Sequence, residues 1–259
     1  MSMHVVALSP GGDSTEPSSR AVATTAPASA RRRASASPDV RELQARIRGM
    51  QTSRLDARAL PTLPAIAGVL PGGALRQGCS YSIDGSVTLA MAMLVAPSSN
   101  GAWCGVVGVP DFGAEAAARF GIDLERLALV PHPGEQWLAA TAALVDVLTV
   151  VVVRPPRRAS DAEAARLGAR LRQRGAALVV LGDWPQSEAK LSVSESEWTG
   201  LGSGHGYLTG REVTVTATGR LGLDRPRSAR LWLPDTTQGF RASNGDALAS
   251  HAQAGAATA

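Results

Sequence analysis

Residues 147–156, VLTVVVVRPP, decide the fold. The run is almost continuously apolar up to Val153, which is typical of a strand covered on both faces of a sheet. On either side of it, short apolar strands alternate with helical segments, and this alternation predicts a mainly parallel sheet with helices on its faces. The predicted strands are residues 79–83, 102–109, 127–130, 147–153 and 177–181, and the predicted helices are residues 88–95, 112–120, 135–144 and 161–174.

The pattern changes after Trp184. Residues 191–193, 212–218 and 229–233 read as strands with no helix between them, and the second of them partly alternates between apolar and polar positions. They predict antiparallel hairpins added to the edge of the sheet. The glycine-rich segment 200–206 predicts a loop between two of these strands.

The composition fits one folded domain with tails. The 259 residues carry 26 basic and 22 acidic side chains, a net charge of +4, and Lys190 is the single lysine. This surplus is too small to identify an acidic partner by itself. Two cysteines, Cys79 and Cys104, without a CxxC motif indicate buried residues in a reducing compartment rather than a metal site. Without a signal-like start or a bilayer-length apolar run, the sequence predicts a cytoplasmic protein with no membrane contact.

Four segments are expected along the chain. Residues 1–37 and 241–259 are dominated by small and polar residues and predict disordered tails. Residues 38–52 predict an amphipathic helix, and residues 53–240 the folded core. The apolar stripe of the helix either packs on the protein's own body or docks on a neighbouring chain, which includes self-association. This stripe consists of Val40, Leu43, Ile47 and Met50.

The turn after the first predicted strand is where a sheet of this type binds a ligand. A phosphate-binding loop needs several glycines, a lysine for the β and γ phosphates, and a Ser or Thr for magnesium. Here Ser86 stands at the position of the lysine and Val87 at that of the hydroxyl, unless Thr88 takes the latter role by a shift of one. Asp84 and Gly85 complete the turn. We therefore expect a degenerate phosphate loop that holds no cofactor.

Arg154 ends the most buried predicted strand, where a nucleotide hydrolase needs an acidic residue to hold magnesium. A guanidinium at that position repels the metal. Together with the loop, this is a second independent loss in the same site. The sequence therefore predicts a pseudo-ATPase with no catalytic residue, no cofactor and no metal.

The order of these features resembles the core of RecA recombinases over about residues 69–181. Within that superfamily the chain is most similar to the actinobacterial ImuA-type proteins, RecA-like accessory members of the damage-induced mutasome, over about residues 39–234. The RecA-like features are LPGG at 70–73, the turn at 84–88, GIDLERL at 121–127 and the strand at 147–153. The ImuA-type features are LPGGALRQG at 70–78, GIDLERLALVP at 121–131, VVRPP at 152–156 and EWTGLGSGHG at 197–206.

The resemblance implies an α/β fold: a RecA-like, mainly parallel sheet flanked by helices, with an antiparallel C-terminal edge, an N-terminal helix and disordered tails. It also implies a non-catalytic adaptor of SOS mutagenesis and translesion synthesis. Its partners would be an inactive Y-family polymerase-like protein and a C-family translesion polymerase, and it would associate with the nucleoid when active. In such proteins the N-terminal helix packs on a neighbouring protomer, an implication that falls on the stripe defined above.

Two other functions stay open on the sequence alone. One is a divergent ATPase that binds nucleotide in an unconventional way. The other is a DNA-binding recombination mediator that contacts phosphates through arginines near the C-terminus. These arginines are Arg220, Arg225, Arg227 and Arg230.

Tryptophans next to arginines would suit stacking on single-stranded bases. Trp232 with Arg230 and Trp198 with Arg211 are such pairs, although packing is the commoner role of tryptophan.

Three polar residues resemble catalytic groups without the necessary neighbours. Asp111 and Asp183 follow predicted strands and show no partner in the sequence, so we expect them to cap turns. His205 lies between glycines and is expected to make a loop contact.

Overall fold

Nine strands of the described chain form a single sheet. The computed structural model describes residues 58–201, 206–219, 226–235 and 239–243. The sheet has the order β3-β2-β4-β5-β1-β6-β7-β8-β9. The strands are β1 (Ser80–Ile83), β2 (Cys104–Val107), β3 (Leu127–Val130), β4 (Val150–Val153), β5 (Ala177–Leu181), β6 (Ala189–Leu201), β7 (Gly206–Gly219), β8 (Arg227–Asp235) and β9 (Gly239–Ala242).

Helices follow most of the parallel strands. They are α1 (Pro64–Ala67), α2 (Val87–Ser99), α3 (Ala114–Arg119), α4 (Trp137–Val145) and α5 (Asp161–Arg174), with short 3-10 turns at Pro71–Gly73, Leu124–Arg126 and Gly134–Gln136. The bounds of α5 follow from its sequence. Ser160 and Glu163 form a reciprocal capping box at its start, and Gly175 ends it in the left-handed conformation.

The sheet is parallel from β3 to β6 and antiparallel from β6 to β9. The predicted α/β class with an antiparallel edge is therefore confirmed. The strands β4 and β5 separate β1 from β2. This order excludes the dinucleotide-binding and flavodoxin-like arrangements, in which the first two strands are neighbours.

The core has two layers, one on each face of the sheet. Val150 and Val152 of β4 pack with α1, α2 and α3, whereas Val151 and Val153 pack with α4 and α5. Successive side chains of a strand point to opposite faces, and here both faces are covered. The four consecutive valines are needed for this reason.

The structure corrects some predicted bounds. β4 begins at Val150 instead of Val147, whose side chain is 75% exposed after the end of α4. β6 is much longer than the predicted 191–193, and its first residues pair in parallel with β1. Gly200 and Gly206, assigned to a loop, lie in β6 and β7. Residues 194–201 and 206–209 are all exposed, so no apolar alternation in the sequence could reveal this part of the pairing.

Candidate functional site

The turn between β1 and α2 is short and lies at the carboxyl edge of the parallel strands. Only Asp84, Gly85 and Ser86 separate the end of β1 from the first residue of α2. Gly85 has φ +66, a conformation that side-chain-bearing residues rarely adopt. A loop of this length has too few backbone amides to surround a triphosphate.

Amides of this turn and of the first turn of α2 already donate within the protein. The Asp84 amide donates to the Leu191 carbonyl oxygen of β6 at 2.9 Å, and the Gly85 amide donates to the Ile83 carbonyl oxygen at 3.1 Å. The Ser86 hydroxyl oxygen accepts from the Leu89 amide at 3.2 Å, which makes it the N-cap of α2. Ser86, which stands where a phosphate-binding loop would have its lysine, is thus a helix cap.

The next two residues belong to α2. Val87 packs against the core, and Thr88 is half-buried. The five residues of the predicted degenerate loop are therefore contiguous in space, but they form a strand-to-helix turn instead of a phosphate cradle.

Arg154 forms an ion pair with Asp111 at the same edge of the sheet. Their Nη1 and Oδ1 atoms are 2.6 Å apart. The bond arises because β2 and β4 are neighbours, with Val107 opposite Val153. The hydrogen bond from Arg154 lowers the pKa of Asp111 below its ordinary value. Asp111, which we expected to cap a turn, thus has a side-chain partner that its neighbours in the sequence do not show, because Arg154 follows a different strand.

A close approach of backbones fixes the position of this pair. Gly108 follows β2 with φ +72, and a Cβ atom there would lie 2.5 Å from the Arg154 carbonyl oxygen. The Arg154 amide donates to the Val107 carbonyl oxygen at 2.9 Å. Arg154 is thus bonded to Val107 through its main chain and to Asp111 through its side chain.

Asp183 also has a partner, contrary to expectation. Its Oδ1 atom lies 2.6 Å from Nζ of Lys190, the single lysine of the chain. Lys190 is opposite Ser82 of β1, so the lysine stands one strand away from the degenerate turn. The hydrogen bond to Asp183 is the main cause that raises the pKa of Lys190, and the charge of Asp84 raises it further. The sequence did not reveal that Lys190 lies close to this turn, because it does not show that β6 pairs with β1.

The C-terminal arginines do not form one cluster in the described residues. Arg227 donates to the Leu70 carbonyl oxygen at 3.4 Å, and Arg230 lies 3.5 Å from Glu197 and 3.8 Å from Glu212. These arginines are three positions apart on β8, so they point to opposite faces of the sheet. Arg220, Arg225, His205 and the stripe Val40, Leu43, Ile47 and Met50 lie outside the described residues.

The two side chains of one of these tryptophan–arginine pairs are in contact. The Arg211 guanidinium carbon lies 5.5 Å from the ring centroid of Trp198, directly across from it on β7. Trp232 stacks instead with Arg241, at 5.0 Å, because β9 places Arg241 opposite it. Its predicted partner Arg230 lies two residues away on the same strand.

The described part of the chain contains no group of three His, Cys, Asp or Glu placed to hold a metal ion. In the same residues, no helix has the length and apolar content needed to cross a bilayer.

The described chain is thus a mixed α/β protein whose sheet edge carries a short, internally bonded turn and two ion pairs. Residues 68–186, which contain β1 to β5 and the turn, match the family model of the MT3502 N-terminal domain. A protein of Mycobacterium tuberculosis (strain ATCC 25618 / H37Rv), uncharacterized protein Rv3395c, is 34% identical over 128 residues. The match covers 48% of this chain and 63% of that protein, so the chain spans less than two thirds of the relative. Neither match carries a RecA or ImuA name, and that resemblance stays a prediction.

Proposed function

We propose that this chain is a RecA-like adaptor protein that acts by binding other proteins and does not hydrolyse ATP. The observation that carries the proposal is the short turn and the internal bonds at the carboxyl edge of the parallel strands. The turn that would hold phosphates is three residues long, and its Asp84 and Gly85 amides donate within the protein. Arg154, at the position of the magnesium-binding acid, is bonded to Asp111. Both losses would have to be reversed for hydrolysis.

The proposed setting is DNA-damage-induced mutagenesis. It rests on the resemblance to ImuA-type proteins, whose motifs at 70–78, 121–131 and 152–156 fall within the matched residues 68–186. The proposed partners are the Y-family polymerase-like protein and the C-family translesion polymerase of the mutasome. The stripe at residues 40–50 is the proposed contact, because its apolar spacing suits a groove on a partner.

Equilibrium binding of a fluorescent ATP analogue with magnesium tests the first part. We expect no saturable binding at millimolar nucleotide. Micromolar affinity that is lost in Gly85→Val would refute the pseudo-ATPase assignment.

Capture of the Y-family polymerase-like protein tests the second part. We expect Leu43→Asp with Ile47→Asp to abolish capture, whereas the charge-changing control Arg119→Asp on exposed α3 should not. Unchanged capture by the double variant would show that the stripe does not contact the partner.

A DNA-binding mediator is a second candidate, favoured by an arginine cluster at the opposite edge of the sheet. The Gln77 amide donates to the Arg58 carbonyl oxygen at 2.9 Å, and a Cβ atom at Gly78 would lie 3.2 Å from the Arg172 Cα atom. Burial raises the pKa of the Cys79 thiol, and the charge of Glu188 raises it further. The charges of three arginines act in the opposite direction; they are Arg76, Arg58 and Arg172. The charges of three arginines thus act on one residue at this edge.

Fluorescence anisotropy with a labelled single-stranded oligonucleotide tests this candidate. Three phosphate contacts predict a slope of about −2 for log affinity against log salt. Arg58→Glu with Arg172→Glu should flatten this slope, and Arg119→Glu should not. A slope that the double variant leaves unchanged would exclude the cluster.

A further inference from the structure

One face of the sheet becomes exposed where β6 and β7 leave the core. Val213 of β7 is fully buried on the face that α1 and α2 cover, which is the inner face of this part of the sheet. Arg211 lies two residues earlier on the same strand, so its side chain points to the same face. It is half-buried, and residues 194–201 of the neighbouring strand β6 are all exposed. The core therefore ends near Arg211, and the inner face continues beyond it.

Trp198 and Arg211 form one unit on the inner face. They are directly opposite each other in the register of β6 and β7, and the guanidinium carbon lies 5.5 Å from the centroid of the indole ring. Nε of Arg211 donates to the Ser196 hydroxyl oxygen at 2.8 Å, which holds the guanidinium in this position. Trp198 is 54% exposed. The unit thus presents an aromatic ring and a positive charge side by side at the surface.

The acidic side chains of these strands lie on the other face, the outer face. Glu212 alternates with the arginine of the unit along β7 and therefore points away from the inner face. Arg230 of β8 lies 3.8 Å from Glu212 and 3.5 Å from Glu197, which places Glu197 on the outer face as well. Glu195 accepts a hydrogen bond from the Thr214 hydroxyl at 2.6 Å, also on that face. These three carboxylates are thus held away from the tryptophan–arginine unit.

The second tryptophan–arginine contact of this sheet lies on the outer face. Trp232 is opposite Glu212, and a Cβ atom at Gly210 would lie 2.8 Å from its ring, so β7 covers part of the indole. Its partner Arg241 is bonded to Asp235 through Nε and Nη2, at 2.8 Å each. The charge of Arg241 is therefore neutralised within the protein, and this contact is a packing feature of the sheet.

We propose that Trp198 and Arg211 bind a single-stranded nucleic acid. The indole stacks on an unpaired base, and the guanidinium bonds to an adjacent phosphate. Proteins that bind single strands combine aromatic stacking with positive charge in this way. Within the described ranges Arg211 forms no ion pair, and its bond to Ser196 uses Nε, so the terminal N–H groups can donate to phosphate. Bases and phosphates are common to DNA and RNA, so both are ligands of this class.

The separation of charge between the two faces favours a nucleic acid over a protein partner. Exposed tryptophan and arginine also suit a protein interface. A carboxylate beside the ring would repel phosphates, however, and here the three nearby carboxylates point to the outer face. Tyr207, which is 89% exposed near the start of β7, adds a second aromatic ring on the same strand. The inference does not depend on the proposed adaptor function, and it uses none of the arginines near Cys79.

Fluorescence anisotropy of the full chain with labelled oligothymidylate and labelled oligouridylate tests the stacking. Trp198→Ala should weaken binding of both strands by about 5- to 140-fold, because stacking of one base contributes about 1–3 kcal/mol. Trp198→Phe keeps a ring and should retain most of the affinity. The matched control is Trp103→Ala, at a tryptophan that is 50% exposed elsewhere on the protein, and it should bind like the wild type. Circular dichroism checks that each variant folds.

The same assay at several salt concentrations tests the phosphate contact. Arg211→Gln should make the slope of log affinity against log salt less steep by about 0.7, the effect of one phosphate contact on a single strand. Arg119→Gln, at an exposed arginine of α3, should keep the wild-type slope. A labelled DNA duplex should bind less tightly than either single strand, because its bases are already stacked on one another.

Three results would overturn the proposal. They are a wild type that binds neither single strand, a Trp198→Ala variant that binds like the wild type, and a duplex that binds as tightly as the single strands. In the first two cases the exposed tryptophan and arginine would be assigned to a protein contact. In the third case binding would rest on phosphates without stacking.

Discussion

Arg154 and Asp111 are joined by a 2.6 Å contact between Nη1 and Oδ1, although they follow different strands and lie 43 residues apart. The contact ties together the carboxyl ends of β4 and β2. In a nucleotide hydrolase this edge would hold a metal ion with an acid. Here a cation and an acid neutralise each other.

The first prediction concerns the charge state of this pair. In Arg154→Gln the pKa of Asp111 should rise toward its ordinary value, because the hydrogen bond from Arg154 is the main cause that lowers it. Carboxyl titration by NMR measures this change. Asp183, whose pKa is lowered by Lys190, serves as the internal control and should not move. An unchanged Asp111 would mean that the ion pair does not form in solution.

The second prediction tests whether the residue types or the length of the turn after β1 prevent nucleotide binding. Ser86→Lys with Arg154→Asp would restore both missing charges. We still expect no binding of a labelled ATP analogue with magnesium, because the turn has three residues and the Asp84 and Gly85 amides are occupied. Isothermal titration calorimetry measures this, and saturable binding by the double variant would show that turn length is not limiting.

The third prediction compares two glycines with positive φ. Gly85→Ala should cost about 1–2 kcal/mol, the strain of a left-handed residue, because no atom lies within 4 Å of its new Cβ. Gly108→Ala adds a collision with the Arg154 carbonyl oxygen, at 2.5 Å, and about 1–3 kcal/mol more. Urea unfolding gives both free energies. Equal losses would mean that β2 and β4 can separate at this edge.

The fourth prediction concerns acid stability at the start of α5. Arg157 donates to both oxygens of Glu163, at 2.7 and 3.0 Å, and Ser160 adds two more bonds. The pKa of Glu163 is lowered from 4.5 to about 2, with Arg157 as the largest cause. A depressed folded-state pKa stabilises the fold above the unfolded value and loses this effect as the pH falls toward 2.

In Arg157→Gln the pKa of Glu163 should therefore rise, so the acid-induced loss of stability should be smaller and should be complete at a higher pH, while its onset, set by the unfolded-state pKa, stays the same. Urea unfolding at several pH values between 2 and 6 measures this change in stability, because the range includes the ordinary carboxyl pKa. Arg119→Gln, which removes a pairing to exposed Glu115, is the control and should keep the wild-type profile. Identical profiles for all three proteins would contradict the assignment.

The fifth prediction tests the core. Leu171 of α5 is 1% exposed, and Leu171→Ala should cost about 2–5 kcal/mol through lost burial and a cavity. Val147→Ala, at a side chain 75% exposed, should change stability by less than about 0.5 kcal/mol. Thermal and urea unfolding check both. A small loss at Leu171 would mean that α5 packs loosely on the sheet.

Several elements were predictable because their signals are local. The four valines at 150–153 and the amphipathic pattern at 161–174 gave β4 and α5 within a few residues. The outer part of β6 was not predictable, because Ser, Glu and Thr dominate residues 194–201 and no core covers them. The partners of Asp111 and Asp183 were missed for another reason: each depends on which strands are neighbours, and the sequence order does not state this.

The sequence by itself determined the class of the fold and showed that the turn after β1 has one glycine and no lysine. Burial on two faces demands unbroken apolar strands, and a missing lysine or acid can be read directly from the residue type. Only the tertiary structure decided the partners of the residues at this edge of the sheet. Pairing of β4 with β2 brought Arg154 to Asp111, pairing of β6 with β1 brought Lys190 to Asp183, and the turn amides found partners within the chain. Such contacts join residues distant in sequence, so they form only when the strand order is fixed.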